Sequence, residues 1–259
     1  MIMIRPRVIP CLLLSNRVLV KTVMFDSPRY VGDPLNAIRI FNEQCADELI
    51  LLDIGATSMN TRPDLEIISK CAEECFMPFC YGGGVNSLKT ISEILKLGVE
   101  KVSIGSHAVY EPHFVKEAAD EFGSQSIVVC IDVKKGRAGS NKVATHNGRR
   151  ITGLDPAEFA STIADMGAGE LLINSVDRDG TMTGYDIDLI RGITKSVNIP
   201  VIACGGAGNI ADMCEVISKG GASSAASGSI FFFYGSLRAV LINYPNMEEL
   251  DEICQSAQI

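Results

Sequence analysis

Apolar residues in this chain come in short unbroken runs rather than in alternation, at 7–14, 48–54, 78–82, 101–105, 126–133, 170–176, 200–204 and 224–231. A continuous apolar run of that length predicts a strand covered on both faces, as in a parallel sheet flanked by helices. Between the runs, apolar positions recur with helical spacing over 34–44, 64–72, 87–97, 113–121, 155–166, 187–197 and 210–218, and a last such segment covers 246–254. Eight strands, each followed by a helix, predict an α/β protein of the closed (β/α)8 or TIM-barrel type. The competing architecture is an open doubly wound sheet. That fold usually carries a Gly-rich turn after its first strand, where this chain has a long polar excursion over 15–32.

The pattern repeats. Phe79-Cys80-Tyr81-Gly82-Gly83-Gly84 returns as Ile202-Ala203-Cys204-Gly205-Gly206-Ala207, and Val102-Ser103-Ile104-Gly105-Ser106 returns as Ala225-Ala226-Ser227-Gly228-Ser229. The run at Val8–Leu14 returns at Val128–Val133 and lays Leu13 over Asp132. We expect one barrel over 1–259, built of half-barrels at about 1–123 and 124–259, with a carboxylate on one side of its two-fold and hydrocarbon on the other. Chemistry that needs both acids should be absent or impaired.

Composition narrows the classes. The net charge of −8, with Lys and Arg scattered, argues against a nucleic-acid surface. No apolar run reaches the ~18 residues of a membrane span, and nine cysteines without a secretory segment read as reduced and cytoplasmic. Cys71 and Cys75 stand four apart in a helical stretch, but no second Cys or His pair accompanies them. No metal and no cofactor are expected.

In a barrel the chemistry sits at the carboxyl ends of the strands. Gly84 with Gly105-Ser106, and Gly206 with Gly228-Ser229, stand there as two matched phosphate cradles, because glycine lets backbone N–H groups approach an anion. A ligand with a phosphate at each end would span them; tight βα turns are the plainer reading. Asp132 ends the fifth strand as a candidate general acid or base. Asp53 is read as structural or orienting; Asp177 and Asp179, flanking Arg178 in Asp177-Arg178-Asp179-Gly180-Thr181, are further candidate carboxylates or equally part of a turn held by Asx hydrogen bonds and an ion pair. His107, His113 and His146 form no triad. Two long loops, 15–32 and 134–153, are candidate lids or walls, the second a small hairpin about His146-Asn147-Gly148. At the opposite face, Arg7, Glu48, Lys101 and Glu170 each open a strand, and a ring of two cations and two anions would seal the floor or gate it.

These residues, with Arg7–Cys11, Asp47-Glu48-Leu49, Gly82–Gly84, Lys101–Ile104, Phe122–Gln125, Gly167–Glu170, Asp177–Asp186 and Gly205–Gly208, resemble the cyclase subunit of imidazole glycerol phosphate synthase over nearly the whole length. The resemblance implies a barrel that takes ammonia from a glutaminase docked on its amino-terminal face. The barrel passes ammonia to a bis-phosphorylated substrate in a lyase reaction of histidine biosynthesis. It implies Asp132 as one catalytic carboxylate, Lys21 as a loop lysine closing over substrate, and Gly84, Gly105 and Ser106 as one phosphate site, although the family usually has Asn at Gly105. Asp179, Gly180, Gly206, Gly228 and Ser229 resemble the other site; Arg7, Glu48, Lys101 and Glu170 resemble the ammonia gate, and Glu100 lies on the glutaminase-facing surface. The family's second catalytic carboxylate belongs at Leu13, and leucine moves no protons; Asn174 also differs from the usual small hydroxyl residue. That departure resembles a branch tied to surface-polysaccharide (lipopolysaccharide) biosynthesis, in which the barrel hands ammonia to a sugar amidotransferase. The expectation is therefore an ammonia conduit for sugar amidination, with the histidine-pathway cyclase as the alternative.

Overall fold

The computed structural model describes residues 6–59, 61–137, 139–235 and 239–256. Eight parallel strands close into a barrel: β1 (Arg7–Ser15), β2 (Leu49–Asp53), β3 (Phe79–Gly82), β4 (Lys101–Ile104), β5 (Ile127–Lys135), β6 (Glu170–Ser175), β7 (Val201–Cys204) and β8 (Ser224–Ser227). Each pairs with its neighbours in sequence, and β8 returns to β1 with Arg7 beside Ser224. Closure rules out the open sheet. The outer layer is α1 (Pro34–Glu43), α2 (Leu65–Glu74), α3 (Leu88–Leu95), α4 (His113–Phe122), α5 (Pro156–Asp165), α6 (Ile187–Thr194), α7 (Ile210–Ser218) and α8 (Met247–Ser256).

The helices begin where the sequence supplies a cap. Asp33, Asp64, Ser87, Asp155, Asp186 and Asn209 each accept a hydrogen bond from a first-turn N–H, and Asn209 with Asp212 completes a reciprocal capping box. Two apolar clusters result from strand alternation. Residues such as Phe79, Tyr81, Val102, Ile131 and Ala203 face outward to the helices, while Ile9, Cys11, Ile50, Cys80, Val128, Leu172, Ile202, Cys204 and Ala226 fill the barrel. Cys11, Cys80, Cys130 and Cys204 thus bring sulfur inward from the four odd-numbered strands.

The structure corrects the sequence reading in three places. The run at 224–231 is not one strand: β8 stops at Ser227, and Ser229–Phe232 is a short helix whose Phe231 and Phe232 pack on Phe41 of α1. The repeat at β3 and β7 is out of step by one residue, because Phe79 faces the helices whereas Ile202 faces the axis; a one-residue slip exchanges faces. The excursion over 15–32 is itself a hairpin, Val18–Val23 with Asp26–Gly32, stacked on the end of β1. Loop 5 is the expected hairpin, with Asn141–Thr145 paired to both β5 and Arg150–Ile151.

Candidate functional site

At the floor, Arg7 bonds to Glu48 and to Glu170, and Lys101 Nζ reaches Glu48 at 2.9 Å and Glu170 at 2.8 Å. The four side chains close a ring around the axis, and Arg7 Nε also donates to Ser224 Oγ at 3.0 Å. Burial alone would lower Lys101 and raise Glu170. The opposite charges outweigh it and hold Lys101 above, and Glu170 below, their ordinary ranges. Glu100 lies exposed beside this ring.

Above the ring the interior is carbon and sulfur. Ser103 Oγ and Asn174 Oδ1 are buried there without a hydrogen-bond partner among the described residues. Burial drives the Cys80 and Cys130 thiols far up, and Cys204, hydrogen-bonded to Cys11 and buried, is likewise held up. On the outside, burial takes Cys71 up to about 12 and Cys75 to about 11. All eight described cysteines are free.

Among the described residues the mouth holds two cavities of unequal size, one lined by Gly84 and Gly105-Ser106, the other by Gly206 and Gly228-Ser229. The larger, about 260 Å³, is lined by Leu13, Gly84, Gly105, Ser106, His107, Asp132, His146 and Asn174, among others. The smaller, about 10 Å³, is lined by Lys21, Asp179, Gly180, Gly206, Gly228 and Ser229, with Cys11 and Cys204 beneath. Lys21 makes the difference. It is 6% exposed, and its Nζ lies so near Gly228 that a Cβ there would meet it at 1.6 Å. Instead of projecting from a loop, Lys21 is folded into the smaller cavity.

Asp179 holds this arrangement. Its carboxylate accepts from Thr22 Oγ1 at 2.9 Å and from the Phe25 N–H, and its carbonyl accepts from the Met24 N–H at 2.8 Å. Met24 and Phe25 form the hairpin turn with φ of +52° and +64°, conformations that normally favour Gly or Asn. Burial raises Asp179, while Lys21 and Thr22 oppose the rise. Gly180, at φ +70°, lets its backbone lie against the Thr22 carbonyl, where a Cβ would come within 2.1 Å. Among the described residues Arg178 forms no ion pair with its neighbouring aspartates; it donates to the carbonyls of Thr183 and Gly184 at 3.2 and 3.1 Å. Asp177 accepts from the Lys135 N–H at 2.8 Å, tying loop 6 to β5.

Asp132 projects from β5 into the larger cavity, and burial pushes its carboxyl up to about 7. The Cys130 thiol donates to it at 3.8 Å. Leu13 lines the same cavity and pairs across the sheet with Leu52, so the opposite wall is hydrocarbon. Asp53 caps the short helix Ala56–Met59 by accepting from the Gly55 and Ala56 N–H groups, a structural contact. His107 packs edge-on against Phe114 at 4.7 Å, and His113 begins α4. Phe25, Tyr110 and Thr22 also line or brace the cavities and carry no local signal in the sequence, whereas Asn147 was legible only as part of the His146-Asn147-Gly148 turn.

The closed sheet, its outer helices, the ionic ring at the floor and the glycine-lined cavities at the mouth define a (β/α)8 barrel with its cavities at the carboxyl ends of the strands. The chain belongs to the histidine biosynthesis protein family, whose pattern matches residues 7–237. It is 51% identical over 249 residues to a protein of Pseudomonas aeruginosa, covering 96% of this chain and 99% of that one. It is 47% identical over 248 residues to one of Vibrio vulnificus (95% of each) and 46% over 245 residues to one of Leptospira borgpetersenii (94% and 96%). All three are named "Putative imidazole glycerol phosphate synthase subunit", followed by hisF2, hisF3 and HisF respectively. Among the described residues, no helix is long and apolar enough to cross a membrane, and no cluster of three metal-ligating side chains occurs.

Proposed function

We propose that this chain is the ammonia-receiving barrel of an imidazole glycerol phosphate synthase-type amidotransferase. Ammonia enters at the ionic ring, from a glutaminase seated against Arg7, Glu100 and Lys101. It rises past Ser103 to the mouth and adds to a phosphorylated ligand beside Asp132. The observation that carries this reading is the closed ring of Arg7, Glu48, Lys101 and Glu170 beneath a neutral interior that leads to a buried acid. Ser103 Oγ and Asn174 Oδ1 support it as unengaged hydrogen-bonding groups on that path. Asp132, held near 7, is suited to exchange protons at neutral pH. Gly84, Gly105 and Ser106 are the proposed seat of one phosphate, and Lys21, Asp179, Gly180, Gly206, Gly228 and Ser229 form that of a second.

The relatives' names speak for the histidine-pathway synthase, and none names a sugar. One observation favours the other expectation, an ammonia conduit feeding a sugar amidotransferase of polysaccharide biosynthesis: Leu13 stands where ring closure would use a second acid. The deciding experiment supplies the purified barrel with ammonium chloride and the bis-phosphorylated ribulosyl substrate, with and without a glutaminase. Turnover that releases imidazole glycerol phosphate establishes the synthase. If the wild type is inert and Leu13→Asp gains activity, the conduit reading stands. Failure of a folded glutaminase to bind the Arg7/Glu100/Lys101 face would refute both.

A further inference from the structure

His146 lines the mouth, at the end of the barrel opposite the ionic ring. It stands in the turn of the loop-5 hairpin with φ +53°, half-buried, on the wall of the cavity that holds Asp132 and Leu13. Its backbone N–H donates to Ser106 Oγ at 3.0 Å. Its Nδ1 lies 3.2 Å from Thr145 Oγ1, which lies 2.9 Å from the Tyr110 hydroxyl. Thr145 is fully buried, and the Tyr110 ring meets the imidazole edge-on with centroids 6.0 Å apart. The next residue pins the turn, because Asn147 Nδ2 donates to the Ile54 carbonyl at 2.6 Å. A left-handed backbone is uncommon at a bulky residue, and here the surrounding contacts impose it.

In the tautomer whose Nδ1–H donates to Thr145 Oγ1, Nε2 is the nitrogen left to accept a proton. Nε2 has no hydrogen-bond partner among the described residues. An imidazole fixed through one nitrogen is set to take and return a proton at the other.

We propose that His146 is the second proton-transfer group of the mouth, working with Asp132 where Leu13 leaves the first strand without an acid. The proposal rests on the ring-closing reading above. The ammonia lone pair forms a C–N bond to a ligand carbonyl carbon, and the carbonyl π electrons move to oxygen. His146 takes a proton from the new ammonium nitrogen while protonated Asp132 gives one to the oxygen. In the second half, His146 returns its proton to the hydroxyl, which leaves as water, and Asp132 takes one from nitrogen. The product is an imine, and both side chains end as they began. Thr145 and Tyr110 are positioning residues, acting through the imidazole.

The titratable and charged groups about His146 are His107 and Tyr110 on the short helix after β4, Asp132 and Lys134 on β5, and Asp53 at the end of β2. Lys21 and Asp179 lie in the adjoining cavity. The test is steady-state turnover of the bis-phosphorylated ribulosyl substrate with ammonium chloride, from pH 5.5 to 9, by wild type, His146→Asn, His146→Gln and Thr145→Val. Asn tolerates the left-handed backbone, so His146→Asn keeps the turn. The expected result is a kcat lower by ~10²–10⁴ in both His146 variants with KM within about threefold, and loss of one limb of the pH profile. Thr145→Val should lower kcat less and shift that limb. An active wild type with undiminished His146 variants overturns this inference alone; an inert wild type overturns it together with the ring-closing reading.

Discussion

Replacing Lys101 by Met tests whether the floor ring is a buried ionic structure. Glu48 and Glu170 have side chains 2% and 12% exposed, and each is bonded to both Lys101 and Arg7. Methionine keeps the packing of the lysine stem and removes only the ammonium. Removing one partner from a buried pair costs ~3–5 kcal/mol. Arg7 still bonds both carboxylates, so the lower end applies, about 3 kcal/mol, or a melting temperature lower by roughly 6–12 °C in a chain of this size. The pH dependence has a definite sign. Glu170 is held below its ordinary range, so the stability it lends is present above the unfolded value of ~4.3 and is lost as pH falls through the folded one. The deficit of Lys101→Met should therefore be full at pH 7.5 and shrink below about pH 4. Urea unfolding at the two pH values measures it. A deficit under ~0.5 kcal/mol at pH 7.5, or one that persists unchanged in acid, would refute the buried-ring argument.

Asp132→Asn should become steadily more stable relative to wild type as pH rises from about 4 to about 7, because a carboxyl raised to about 7 is protonated at no cost only below that window; thermal melts across pH check it, and a constant difference would contradict it. Gly180→Ala places a Cβ against the Thr22 carbonyl at positive φ and should cost ~2–4 kcal/mol while freeing the loop-1 hairpin to limited proteolysis. Asn147→Ala loses the bond to Ile54 and a residue tolerant of φ +55°; expect about 1–2 kcal/mol and faster cleavage in loop 5. Unchanged cleavage would mean that another contact holds the turn.

The barrel was legible because its strands are buried on both faces and its helix starts carry Asp, Ser or Asn caps. Ranges agreed to within a few residues even where the end was frayed, as at 187–197 against Ile187–Thr194. The loop-1 hairpin was illegible for a physical reason: its turns at Asn16-Arg17 and Met24-Phe25 have left-handed backbone without glycine, and the second is held by contacts from Asp179, which lies 157 residues from Thr22 in sequence. The run at 224–231 misled because Ile230 and the phenylalanines are apolar for packing on α1, not for the sheet. Residues at the mouth were found through the repeat. Its asymmetry, with Lys21 filling one cavity, was not, since a long side chain's destination is set by the opposing loops and by Gly228.

On the ammonia path proposed above, the carbon-and-sulfur interior between floor and mouth would sort solutes by protonation state. A cation the size of ammonium would forfeit several kcal/mol of hydration along it, a population factor of ~10³ or more. An uncharged molecule of the same size would escape that hydration penalty. If ammonia takes that path, any carboxylate or amine engineered onto the axis, for instance at Cys80, would turn the wall into a trap and slow transit even with the fold and both ends left intact.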